Sequence, residues 1–166
     1  TSNGGGENEE ISGQVTVGLT GDYDTLTAAL DAGESDVLVL DGVHEVHGTI
    51  KIERPNVRIV GQSRDGTILR KTDPASFILV VDTENVTVAN LTLDAKTFDS
   101  DTNHIWEAFG CVNCNRSTLS GTKIHGSMHM FAVFFAGPGN QFDAGQPTID
   151  AFDSNWLDVG NVCENN

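Results

Sequence analysis

Basic side chains are scarce in this chain. Nine Lys and Arg stand against 24 Asp and Glu, a formal net charge of −15. A surface of that sign repels nucleic acid and anionic membranes, which argues against both as partners. Long apolar runs are missing as well, so the sequence offers no membrane-spanning helix. Cysteine is limited to Cys111, Cys114 and Cys163. Cys111-Val-Asn-Cys114 has the gap of a redox or zinc motif, but zinc needs two further ligands and no second paired motif exists. On a strand an offset of three puts the two cysteines on opposite faces, as buried small residues. Either could pair with Cys163 only where the fold brings them within bridging distance.

Helical patterning is equally thin. The one convincing helix is "DYDTLTAALDAG", 22–33, with Asp22 or Asp24 as cap, Leu26, Ala29 and Leu30 on one face, and Gly33 as terminator. Upstream, "TSNGGGENEE" (1–10) is polar, glycine-rich and acidic. It reads as a disordered linker of the kind left behind a removed export signal or lipid anchor. The expectation is therefore an extracellular or cell-surface protein with one domain over 11–166.

What is present is short strands. "ISGQVTVGLT" could be the first. After Gly33 follow segments at 36–42, 49–53, 57–61, 67–71, 77–82, 86–94, 117–126, 130–137 and 156–162. They are rich in Val, Ile, Leu, Thr and Phe and are broken by Gly, Asn, Asp and Pro. They also repeat. Val57 and Ile59 recur as Val86 and Val88, an offset of 29; Val88 and Leu93 recur as Leu119 and Ile124, an offset of 31; Val159 is the expected next partner of Leu119. A period of this length without helices predicts stacked coils whose aliphatic residues pile into one core. Asn56, Asn85 and Asn115 recur before strands as turn residues that tolerate left-handed backbone. A β-sandwich is the alternative fold, but the strands lack the Asn-Gly turns that favour hairpins.

The helix 22–33, "DVLVLDGVHEV" and "TIKIERPNVRIVGQSRDGTILR" together resemble the right-handed parallel β-helix superfamily, the pectate-lyase-like fold. The resemblance implies about five coils, a short N-terminal capping helix and a groove for an extended sugar chain. The chain's end at "NVCENN" predicts missing downstream coils or self-association there. The activity implied is β-eliminative lyase or epimerase action on an acidic, uronate-containing glycan, with calcium as a candidate cofactor. Alternatives are a non-catalytic carbohydrate-binding, adhesin or tail-fibre-like module, or an inactive N-terminal fragment of a larger enzyme. The Asp-His signature of uronate lyases and the paired aspartates of polygalacturonases are not visible.

Three regions supply candidate residues. Six of the nine bases fall in 51–71, against Glu53 and Asp65. Arg58 and Arg70 sit there on strands, facing outward, where they could meet uronate carboxylates. In "GTKIHGSMHMF" Lys123 and His125 share a strand face, with His129 four residues on. Lys123 or His125 is the candidate base, with Arg116 or an arginine from 51–71 as carboxylate partner. His104 and Trp106 lie on an expected excursion over 95–108, where Trp106 could stack on a sugar. Asp150 and Asp153 form a weak calcium or acid–base candidate, since calcium wants six to eight oxygens. His44 and His47 read as turn-flanking residues.

Overall fold

The computed structural model describes residues 13–73, 77–95, 105–112, 114, 116–126, 128–136 and 148–149. The strands are β1 (Val15–Val17), β2 (Asp36–Val39), β3 (Gly42–Val46), β4 (Ile50–Ile52), β5 (Arg58–Gly61), β6 (Thr67–Lys71) and β7 (Phe77–Val81). They continue as β8 (Thr87–Ala89), β9 (Thr92–Ala95), β10 (Ile105–Val112), β11 (Thr118–Ser120), β12 (Lys123–Gly126), β13 (Met128–Ala136) and β14 (Thr148–Ile149); one helix, α1 (Leu26–Asp31), precedes β2.

Every strand pairing is parallel, and the partners come from successive coils. Three sheets result: a first in the order β1-β2-β5-β8-β11-β14, a second in the order β3-β6-β9-β12, and a third in the order β4-β7-β10-β13. Four triplets, from β2-β3-β4 to β11-β12-β13, are therefore four coils, with β1 before and β14 after. This is the stacked solenoid that the repeat predicts.

The core is a set of aliphatic columns. Val15, Val37, Ile59, Val88, Leu119 and Ile149 are register partners along the first sheet. In the second sheet His44, Leu69, Leu93 and Ile124 follow one another, and in the third Ile52, Val81 and Cys111. Val37, Ile59, Leu69, Val88, Leu93 and Ile124 are each fully buried. A side chain of that kind contributes roughly 1.5–3 kcal/mol on burial, and stacking lets every coil bury its apolar face against the next. Leu119 pairs with Ile149, not with Val159, which lies outside the described residues.

Several local expectations shift. The helix is shorter than 22–33, because Thr25 is the N-cap: it is extended (φ −134°, ψ 151°) and its side chain accepts from the Ala28 amide. Asp22 instead accepts from the Thr16 amide and hydroxyl, both at 2.8 Å, and those bonds hold its carboxyl below the usual range. Gly33, at φ 97°, ends α1 as expected, with Gly33 N–H donating to Leu30 O and Glu34 N–H to Ala29 O. The segment 86–94 breaks at Asn90 and 117–126 breaks at Gly121, both at φ 56°. Residues 105–108 of the expected excursion belong to strand β10, which runs on to Val112.

Asparagine at the coil corners behaves as turn chemistry. Asn56 and Asn85 have φ of 62° and 58°, and the Asn85 amide donates to the Asn56 side-chain oxygen one coil back. The next residue in that column is Arg116, at φ 56°, not Asn115. Cys111 and Cys114 are both buried and joined by a disulfide, with Cα atoms 5.6 Å apart. The face rule fails there because β10 ends at Val112, before the second cysteine.

Lys71 is the least expected interior residue. Alternation along β6 turns it inward, where its side chain is fully buried. Its Nζ lies 2.6 Å from Asp73, whose carboxylate also accepts the Gly48 N–H at 3.0 Å. Burial pushes the Asp73 carboxyl up, but Lys71 and the Gly48 amide outweigh it and leave it below the usual range. A carboxyl lowered on folding stabilises above its unfolded value of 3.8, and that contribution is lost as pH falls through the folded value.

Two outcomes follow for stability in urea. Asp73→Asn costs about 3 kcal/mol at neutral pH, by stripping a carboxylate from a buried ammonium, and the gap to the parent narrows as pH falls below 3.8. Gly61→Ala costs at least about 2 kcal/mol at any pH, because its Cβ would meet the Asn90 carbonyl oxygen at 2.1 Å.

Candidate functional site

The outer face of the second sheet carries the densest chemistry among the described residues. Leu69, Leu93 and Ile124 turn inward, and Ile68, Arg70, Thr92, Asp94 and Lys123 take the opposite side of the sheet, where Thr92 and Asp94 are themselves buried. Two rows run along the solenoid axis. Val43, Ile68, Thr92 and Lys123 form one; Glu45, Arg70, Asp94 and His125 form the other. Successive members are set about 4.8 Å apart by the strand spacing.

Arg70 and Asp94 make the central contact, with Arg70 Nε donating to Asp94 Oδ2 at 2.9 Å. The arginine is 37% exposed and the aspartate 1%. A carboxylate buried to that degree requires a cation or several donors, and Arg70 supplies the charge. Lys123 lies 3.5 Å from Asp65, which also meets Arg64 at 3.2 Å. The Thr92 hydroxyl donates to the Arg64 carbonyl at 2.7 Å and so ties this corner to the face. Behind it, Asp41 accepts from the Ser63 and Thr67 hydroxyls at 2.8 and 3.1 Å, while Ser63 Oγ accepts the Gly66 amide. The face thus presents two half-buried cations, Arg70 steadied by the buried Asp94 and Lys123 by Asp65.

The candidate residues divide among different surfaces. Arg70 and Lys123 share this face, two coils apart and in different rows, with His125 at the register position after Asp94. Arg58 belongs to the outer face of the first sheet and bonds Asp36 at 2.8 Å. Arg116 sits at the corner before β11 and pairs with Glu84, so the length of β11 separates it from Lys123. Trp106 and His129 fall on β10 and β13 of the third sheet. His104, Asp150 and Asp153 lie outside the described residues.

The basic stretch 51–71 is not a patch. Arg54 donates to the Leu30, Gly33 and Glu34 carbonyls and so caps the end of α1. Arg58 and Arg70 face different sides, and Lys71 is internal. Among the described residues no group of three or more His, Cys, Asp or Glu is arranged to hold a metal ion. His44 is a member of β3, its Nε2 2.8 Å from the Leu40 carbonyl, and His47 lies 3.8 Å from Asp73.

Asp94 is the residue that sequence reasoning missed. Its signal is an opposite charge one coil after Arg70, at the aligned strand position, visible only once the coil register is known.

Arg70→Ala is expected to lower stability by about 3 kcal/mol in chemical denaturation, since it strips the buried Asp94 carboxylate of the guanidinium bonded to it. Arg116→Asn is expected to raise it by roughly 0.5–1 kcal/mol, because asparagine tolerates φ 56° and the exposed pair with Glu84 contributes little.

No family model matches the chain, and no curated protein matches it. Solved structures do. A pectin methylesterase mutant in complex with hexasaccharide IV superposes with a TM-score of 0.60 at 14% identity, over 82% of this chain and 47% of that one. A pectin methylesterase in complex with hexasaccharide VII gives 0.54 at 15% identity, over 82% and 52%. The chain spans about half the length of these structures, and what it shares with them is the right-handed parallel β-helix fold.

Proposed function

We propose that the chain binds and processes a pectin-like, uronate-containing polysaccharide along the outer face of the second sheet. The observation that carries this reading is the Arg70–Asp94 pair. It sets a half-exposed guanidinium, oriented by a buried carboxylate, on the long face of a fold whose solved neighbours hold hexasaccharides. An arginine so fixed suits a sugar carboxylate, which it can meet with two parallel donors.

The favoured reaction is β-elimination. Arg70 neutralises the uronate carboxylate, Lys123 adds positive charge from beside Asp65, and His125 takes the proton alpha to the carboxylate. The electron pair left at the alpha carbon forms the double bond as the bond from the beta carbon to the departing sugar oxygen breaks, and that oxygen takes a proton from water, which leaves an unsaturated uronate and a free hydroxyl. Of the arginines expected to meet the carboxylate, Arg116 or one from 51–71, this reading takes Arg70. Asp94 favours a second reading, ester hydrolysis, because a carboxylate buried beside an arginine can serve acyl chemistry and both neighbours are pectin methylesterases. Calcium enters only as a variable to be tested, since the described residues assemble no site for it. Export is part of the proposal, supported by the Cys111–Cys114 disulfide, which persists in oxidising compartments.

The test uses polygalacturonate, methyl-esterified pectin and a neutral glucan, with and without calcium. Retention on the uronate glycans is expected, weakened about tenfold by Arg70→Lys and by Lys123→Ala but not by Arg58→Ala. Absorbance near the ultraviolet edge identifies elimination; methanol release without it identifies ester hydrolysis; retention without either leaves a binding module. Equal retention on the neutral glucan, or full retention by both face variants, overturns the reading.

A further inference from the structure

The three sheets do not begin at the same level. The first starts with β1, one coil before β2, and α1 packs over β4 at the start of the third. The second begins only with β3. The chain that would supply the missing strand turns back on itself instead. Gly18 N–H donates to Tyr23 O, Tyr23 N–H to Thr16 O, and Asp22 holds Thr16.

A groove of about 400 Å³ is left beside the open edge of β3. Its floor includes the buried Leu26, Val46, Ile50 and Leu69. On its rim stand Leu19, fully exposed, and Val43, 49% exposed, the two large exposed hydrophobics among the described residues. Among the described residues the acidic lining is Asp24, Asp41 and Glu45, and none of the lining residues is Lys or Arg.

We propose that this groove takes an extended cationic peptide segment of a partner protein, which adds as a strand to β3. Strand addition satisfies the edge N–H and C=O groups of Gly42–Val46, as β-augmentation does elsewhere. Alternate side chains of the guest then fall on opposite faces, so apolar residues reach the floor beside Val46 and Leu69 while the intervening ones lie beside Val43 and Glu45 on the outer side. Charge selects among occupants. A second copy would bring its own three acids and a −15 chain against this rim, and the acidic segment 1–10 is of the same sign. A Lys- or Arg-bearing strand is drawn in by the same field.

The probe is a fluorescent five-residue peptide alternating lysine and valine, followed by anisotropy. Controls are its glutamate–valine counterpart and a version with N-methylated backbone on one edge. Binding of the lysine peptide at least about tenfold tighter than either control, weakening with added salt, supports the proposal. Glu45→Lys and Val43→Lys, both at exposed positions, abolish that preference while thermal melting confirms an intact fold. The proposal is overturned if the lysine and glutamate peptides bind alike, if no binding occurs up to about millimolar peptide, or if Val43→Lys leaves binding unchanged. It is equally overturned if sedimentation shows a dimer that Val43→Lys dissolves, which would assign the edge to a second copy.

Discussion

Parallel backbone ladders between successive coils are the constraint on which the rest of the structure depends. They fix the spacing along the axis, and they place each residue directly over its counterpart one coil earlier. An aliphatic column inside is then also a register for whatever stands outside. Leu69 over Leu93 over Ile124 puts Arg70 over Asp94 over the His125 position. The chemistry on the outer face is thus a by-product of hydrophobic stacking: shift one coil by a residue, and the core and the charge row fail together.

Much of this architecture is legible in the sequence because aliphatic stacking leaves a period. The offsets of 29 and 31 are real register relations, Ile59 to Val88 and Val88 to Leu119. The first coil is harder to see. The step from Val37 to Ile59 is shorter than either, since the chain there turns tighter corners, and the later period does not fit it. Asn90 and Gly121 read as interior strand positions although each turns a corner in left-handed backbone. Arg116 occupies the column of Asn56 and Asn85 against the preference of its own side chain, which is why Asn115 looks like the match.

The site is less legible than the fold, for a physical reason. Local sequence shows which way a strand residue points but not what lies beside it one coil away. The six bases in 51–71 look like a patch because they are close along the chain. Each coil visits all three sheets in turn, so closeness in sequence scatters them around the perimeter. Conversely, Arg70 and Asp94 stand a whole coil apart along the chain and touch. Lys71 shows the same limit from inside: a basic residue ending an apolar strand reads as surface, whereas alternation and Asp73 make it interior.

The covalent and non-covalent ties act in different directions. The Cys111–Cys114 bridge closes a corner within a single coil, and the Asn85–Asn56 contact joins neighbours at their turns. Among the described residues, therefore, no covalent cross-link runs lengthwise through the stack. Pulled from its two ends, such a molecule would come apart as a spool unwinds, one loop at a time. Its resistance to force would be that of a single interface between loops rather than of the whole body.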